Sequence, residues 1–240
     1  MASIEPSTIQ NRLLAALPPH VLDGLMPHLR QVELPLRTIL YRPNEIITAV
    51  HFPESGYASL IAALDDGDAA EVGIIGREGM LGLPLALGDD RSFVEVLIQG
   101  EGTALQLDAR VFQTAMEDNV ALRTMILRYS LAFNAQITMT AACNGRHHID
   151  QRLARWLLMA HDRVQKDQFP MTHEFLSMML GVRRAGVTIA AGALQKGGFI
   201  TYDRGRVRIE DRPGLEAISC ECHDVAQREY RRLITPATGN

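Results

Sequence analysis

The stretch HEFLSMMLGVRRAGVTIAAGAL, residues 173–194, restricts the fold of this chain more than any other. Two apolar segments flank Gly181, and Arg183 and Arg184 follow at the point where a continuous core element would bury them. Unpaired guanidinium groups are not tolerated in a core, so the chain has to turn there and deliver them to the surface. Thr172 can cap a helix through Leu180, Gly181 supplies the positive φ of a tight turn, and a second helix runs from about Arg183 to Lys196. Leu176, Leu180, Val182, Val187 and Ala190 then face one another across two crossed helices, the helix-turn-helix arrangement. Arg183, Arg184, Ala185 and Thr188 point outward from the start of the second helix. In such motifs that end of the helix enters the major groove of duplex DNA.

The next segment agrees with that reading. FITYDRGRVRIED predicts strands 199–202 and 206–209 around Asp203-Arg204-Gly205, a hairpin carrying Arg204, Arg206 and Arg208. A basic hairpin after a recognition helix is a wing that grips backbone phosphates. Six basic residues and one acid lie between 183 and 208. A helix pair in the small domain of an enzyme would account for the helices, but not for the wing or this charge bias. The bias extends further: residues 1–149 carry 10 Lys+Arg against 17 Asp+Glu, whereas residues 150–240 carry 14 against 11. An acidic part followed by a basic one suggests that only the second meets a polyanion. No P-loop, nucleophile elbow or HExxH is present in the sequence, so an enzyme is not expected.

The front of the chain has another texture. Residues 8–30 read as short amphipathic helices broken by Pro18–Pro19 and Pro27, and residues 32–107 as short apolar segments punctuated by RPNE, PESG, DDGD, GREG, LGDD and QGEG. Turn signals every ten or so residues predict a β jelly roll or sandwich. Asp108 is placed to cap a helix beginning ARVFQTAM, and a run without Gly or Pro extends from Asn119 to Cys143. Leu122, Ile126, Tyr129 and Phe133 recur along that run at spacings of four and three, a heptad seam that predicts two-fold pairing of the helix in a homodimer. Met125, Ala132 and Met139 would then face the roll; the alternative is that the first seam itself packs on the roll. NGRHH, 144–148, is the expected hinge, because Asn-Gly terminates helices readily. Beyond it the chain reads as helical to about residue 197, then hairpin, then tail. The expected division is a roll domain over 1–118, a dimerisation helix and hinge over 119–147, and a winged helix-turn-helix domain over 148–240, an α+β fold overall.

With 47% hydrophobic and 22% charged residues the chain reads as soluble and globular, and no apolar run approaches the roughly 20 residues that would span a bilayer. The N-terminus lacks the features of a signal peptide, and three cysteines make no disulfide framework, so a cytoplasmic location and no membrane partner are expected. Cys220-Glu-Cys222-His223 could meet Cys143 or His147 and His148. Two close thiols and one imidazole fall short of a four-ligand zinc site unless the hinge approaches, so they are read as ordinary helix cysteines and no metal is expected.

Taken together, NRLLAALPPHVLDGLMPHLRQVELPLRTILYRPNE, the glycine-punctuated roll, the long helix and the winged helix-turn-helix resemble the Crp/Fnr superfamily of bacterial transcription regulators over nearly the whole chain. The resemblance implies a cyclic-nucleotide-binding-type jelly roll, a dimerisation helix, and a domain contacting double-stranded DNA at a palindromic promoter site. It also implies steric or recruiting action there, the second making RNA polymerase a partner. In the family's effector cassette an acid bonds the ribose 2′-OH, and an arginine followed by Ser or Thr holds the cyclic phosphate. In GMLGLPLALGDDRSFVE, 79–95, Arg91 and Ser92 stand at the phosphate pair, but Met80 stands where the acid should be and Phe93 replaces a small residue. Glu78 could substitute only if the turn shifts register. A degenerate pocket is expected, with Arg91 pairing Asp89 or Asp90. The roll has no cysteine for an iron–sulfur cluster, eight histidines single out no haem ligand, and no cofactor is expected. In the recognition sequence, typically Arg-Glu-x-x-x-Arg, this chain reads RAGVTI. Arg184 is retained, Ala185 replaces the acid, and Ile189 replaces the second arginine. The expected function is a sequence-specific DNA-binding transcriptional regulator acting as a homodimer, its effector unidentified. The alternative is a ligand-sensing module that acts through protein contacts, with a vestigial DNA-binding domain.

Overall fold

Two short helices, α1 (Arg12–Ala15) and α2 (Pro19–Leu25), lead into the roll. The computed structural model describes residues 4–65, 67–164 and 166–234, so the outer limits expected at residues 1 and 240 lie outside the described residues. Asn11 starts α1 as a buried cap. Its side-chain oxygen accepts from the Leu13 and Leu14 amides, and its amide donates to the carbonyls of Pro53 and Gly79, both at 2.9 Å. Every polar atom of that buried side chain is therefore satisfied, and the glycine turn is pinned to the first helix.

The roll is two antiparallel sheets. β1 (Arg30–Leu34), β7 (Gly102–Asp108) and β3 (Ala49–Pro53) form one, in the order β1-β7-β3. β2 (Ile39–Tyr41), β6 (Glu95–Gly100), β4 (Tyr57–Ala63) and β5 (Ala69–Ile75) form the other, in the order β2-β6-β4-β5. Burial alternates residue by residue along β6, as expected where one face meets the core. It does not alternate in β4, where four of seven residues are buried, three of them consecutive. A second layer covers the outer face of that strand.

Asp108 caps α3 (Ala109–Asp118), accepting from the Arg110 and Val111 amides, and Asn119 caps α4 (Val120–Arg146). The seam Leu122, Ile126, Tyr129 and Phe133, expected at a two-fold axis, is instead turned inward and buried in the core of the roll. Apolar surface that its own chain can cover does not remain for a partner. The face left open carries Leu127 and Leu131, 43% and 61% exposed, in register with Thr124, Asn134 and Thr138. Asn144 and Gly145 continue the helix rather than ending it. The break is confined to His147 and His148, before α5 (Ile149–Val164).

After α5 a short strand, β8 (Gln168–Pro170), precedes α6 (His173–Leu180), where the sequence reads as helix throughout. It pairs with the wing, Val207 opposite Phe169. Then come α7 (Arg184–Lys196), β9 (Ile200–Asp203) and β10 (Arg206–Ile209), the last two forming the hairpin, with the sheet ordered β8-β10-β9. The expected tail is two helices, α8 (Arg212–Ile218) and α9 (Cys222–Ile234), and α9 packs back along α4. The architecture is an N-terminal roll, a long helix and a C-terminal winged helix-turn-helix.

Candidate nucleic-acid interface and sensor cavity

Thr172 caps α6 through the Phe175 amide, and Gly181 ends it at φ +58°, a conformation that a side chain would strain. Leu176, Leu180, Val187 and Ala190 are buried between α6 and α7. Packing them together leaves Arg183, Arg184, Ala185 and Thr188 exposed on one end of α7, with Ile189 74% exposed beside them. The Thr188 hydroxyl is already engaged: it donates to the Arg184 carbonyl and lies 3.1 Å from Nδ1 of His173. Its methyl group is left facing outward. His173 was not singled out by sequence. Its ring packs 4.4 Å from that of Tyr202, and burial, then the Arg184 charge, lowers its pKa. A neutral imidazole thus braces the recognition helix against the wing without adding a charge. Arg204 and Gly205 form the wing tip at φ +45° and +76°, and Arg204, Arg206 and Arg208 are exposed.

The outer face of β4 and β5 is covered by this domain. Tyr57, Ile61 and Ile74 of the roll share one core with Leu153, Trp156 and Leu157 of α5 and Leu180 of α6. At its centre Glu71 is buried, accepting from the Trp156 indole at 2.7 Å and from the Ser59 hydroxyl. Burial raises the Glu71 pKa to about 7, although both hydrogen bonds favour the ionised form. Beside it Arg163 donates from Nε to Glu78 at 2.8 Å and from Nη1 to the Met159 carbonyl at 2.7 Å. Asp162 ties α5 to α8 and α9, accepting from Arg212 at 2.7 Å and from Gln227 at 2.8 Å, with His223 at 3.1 Å. Burial alone would raise the Asp162 pKa, but the His223 contact and the Arg212 charge hold it at about 2. These partners lie far apart in sequence and belong to no motif; only burial of an unexplained acid in an apolar strand could have hinted at Glu71.

Within the roll is a cavity of about 390 Å³, lined by Leu60, Val72, Met80, Leu83, Phe133 and Ile137 among others. Met80 is fully buried. Glu78, its possible substitute, is committed to Arg163. Arg91 is turned to the surface, donating to the Asn44 carbonyl at 2.6 Å with Asp90 at 3.8 Å. Ser92 donates to the Val94 carbonyl, and Phe93 stands 77% exposed at the mouth. Of the three residues expected at a nucleotide, Met80, Arg91 and Ser92, none therefore presents a charged group or a free hydrogen-bond donor to the cavity.

The cysteines differ most from their sequence reading. Cys143 is buried 3.4 Å from Cys220 of the same chain, sulfur to sulfur. Cys222 lies 3.6 Å from Nδ1 of His147. The hinge does approach, and His148 and His223 take no part in the group.

Two family models match the chain: the cyclic nucleotide-binding domain over residues 31–119 and the Crp-like helix-turn-helix domain over residues 151–218. No curated protein matches it in sequence. Among solved structures, it is similar to a transcriptional regulator of the crp/fnr family from Eubacterium rectale, at 18% identity and TM-score 0.68, covering 86% of this chain and 96% of the other. FixK2 of Bradyrhizobium japonicum gives 13% and 0.68, covering 80% and 98%. The c-di-GMP-responsive global regulator CLP of Xanthomonas campestris gives 17% and 0.63, covering 80% and 99%. At such identities these structures speak for the fold. Among the described residues no helix is long and apolar enough to cross a membrane. The two matched domains in this order, joined by the long α4, make the chain a member of the Crp/Fnr superfamily of transcriptional regulators.

Proposed function

We propose that this regulator binds a palindromic duplex site sequence-specifically, as a homodimer. The observation that carries the reading is that Arg183, Arg184, Ala185 and Thr188 at the start of α7 and Arg204 and Arg206 of the wing are all exposed, with Thr188 linked through His173 to Tyr202 of β9. Arg184 reads a guanine edge and Ala185 offers a thymine methyl an apolar contact. Arg183 holds a phosphate or flanking base, and the wing arginines hold phosphates. Pairing of two chains through the open Leu127 and Leu131 face of α4 sets half-sites about 34 Å apart, one turn of the duplex. Regulation at the promoter, by obstructing or recruiting RNA polymerase, follows from occupancy.

The roll does not serve as a cyclic-nucleotide receptor in this reading. A phosphate entering this mainly apolar cavity would meet no cation in its lining and a ribose hydroxyl no carboxylate, at about 1–3 kcal/mol for each buried polar group left unpaired. A mainly apolar small molecule suits a cavity of about 390 Å³ better. Calorimetry with cyclic AMP is expected to give no micromolar binding; such binding, lost in Arg91→Ala, would overturn this part.

DNA recognition is tested on the full chain by selecting bound sequences from a random duplex library. Arg184→Ala should cost about 1–3 kcal/mol on the selected site and relax preference at one base pair. Arg206→Ala should weaken all sequences alike and lower the salt slope by about one. Equal losses on selected and random duplex for Arg184→Ala would mean that α7 does not read bases. No salt-dependent duplex binding at all would favour a module acting through protein contacts.

A further inference from the structure

We propose that Cys143, His147, Cys220 and Cys222 form a closed tetrahedral site for a zinc ion that clamps the hinge. Among the described residues one group of His, Cys, Asp or Glu donors converges, and it is this one: three sulfurs and an imidazole nitrogen, all within 4.8 Å of one another. With zinc–sulfur bonds of about 2.3 Å and a zinc–nitrogen bond of about 2.0 Å, tetrahedral donors stand about 3.5–3.8 Å apart. Cys143 and Cys220 stand at 3.4 Å, and Cys222 and His147 Nδ1 at 3.6 Å. An ion at the centre requires only small adjustments of side chains already in place.

The surroundings fit a bound ion. The three cysteines are buried and His147 is half-buried, the enclosure of a structural rather than an open catalytic site. While Nδ1 of His147 faces Cys222, its Nε2 lies 3.5 Å from the Glu221 carboxylate. That is the outer-shell arrangement which fixes the orientation of a ligating imidazole. Three thiolates around a divalent cation leave one negative charge. Arg155, one turn from Arg152 on α5, is buried near the sulfurs with its Nε unbonded, and can offset that charge. A disulfide between Cys143 and Cys220 would use two of the four donors and leave the oriented His147–Glu221 pair without a role. An iron–sulfur cluster needs more room than donors 4.8 Å apart enclose. Three soft sulfurs and one imidazole in a closed tetrahedron favour zinc.

Binding would proceed without redox change, the cysteine protons passing to solvent as the metal–sulfur bonds form. The ligands come from three places: the last turn of α4, the break before α5, and the start of α9. A single ion would therefore join the end of the long helix to both segments that flank the DNA-binding domain. The proposal stands independently of DNA recognition.

The test uses the reduced full chain, purified without chelators or metal-affinity resin. Elemental analysis should find one zinc per chain. Cobalt(II) added to metal-free protein should bind one to one, with the visible bands of a tetrahedral site and near-ultraviolet thiolate charge transfer. Cys220→Ser and Cys222→Ser should each lose more affinity than the roughly 10–100-fold typical of an outer-shell change, and Glu221→Gln should lose about 10-fold. His148→Ala, adjacent but outside the group, should match the native chain. Titration of zinc-loaded protein with a mercurial should release the metal only as the thiols react, a readout independent of whether a variant folds. The proposal fails if the reduced chain holds no zinc and shows no cobalt charge transfer, if cobalt binding survives Cys222→Ser unchanged, or if anaerobically prepared protein contains a Cys143–Cys220 disulfide.

Discussion

At the scale of single residues, Gly79 has no room for a side chain. A Cβ there would stand 2.1 Å from the Tyr129 hydroxyl oxygen, and the Gly79 carbonyl already accepts from buried Asn11. Gly79→Ala must displace either the turn or a fully packed tyrosine. It is expected to destabilise the chain by about 1–3 kcal/mol in urea unfolding, the usual cost of overpacking a tight core. Unfolding indistinguishable from the native chain would show that Tyr129 moves freely. Neighbouring Met80 makes the complementary point. Its identity, read from sequence alone, already argued that a ribose partner was missing, because a thioether is chemically different from a carboxylate wherever it sits. The commitment of Glu78 to Arg163 could not be read the same way, since the two lie 85 residues apart.

At the scale of elements, the helix-turn-helix was legible and the partners of α4 were not. Thr172, Gly181 and the apolar spacing around them act locally, through a cap, a backbone conformation and a helical repeat. The repeat along α4 locates its faces without saying what covers them. Two stripes share the same four-and-three spacing, and the larger apolar one is consumed by the roll. Asn144-Gly145 was misjudged for a related reason: a helical glycine costs about 1 kcal/mol, and packing of α9 along α4 can supply that. Leu131→Glu and Phe133→Ala separate the two stripes. Leu131→Glu should shift the protein toward monomer in sedimentation with little change in unfolding. Phe133→Ala should lower stability by about 3–5 kcal/mol whatever the state of assembly. A dimer untouched by Leu131→Glu would move the two-fold axis off this face.

At the scale of the molecule, docking of the DNA-binding domain on the roll carries a titratable group at its centre. Glu71 has its pKa raised from 4.5 to about 7 by burial. Below about pH 4.5 it is protonated whether buried or exposed, and its contribution to docking is fully present. As pH rises through about 7 the exposed form is already ionised and the buried form must follow, so that contribution is lost, no more than about 3 kcal/mol in all. Trp156, the sole tryptophan, donates to that carboxylate and reports the change directly. Its emission should shift to the red as pH rises from about 6 to about 8, and Glu71→Gln should flatten the curve. An unshifted native spectrum over that range would mean that Glu71 stays protonated or the interface stays shut.

The return of α9 along α4 has a kinematic consequence. Partway along it the Tyr230 hydroxyl reaches the roll, donating to the Glu78 carbonyl at 2.6 Å, so the DNA-binding domain is anchored at the His147–His148 break and again further along α9. Tyr230 stands eight residues beyond Cys222, the residue that faces His147, which is about 12 Å along the helix. A body held at one point can turn about any axis, whereas a body held at two can turn only about the line through both. Once the Glu71 interface and the Arg163–Glu78 pair open while both anchors hold, the domain has one degree of freedom, and a signal from the roll can reach the recognition helix only as an angle about that line.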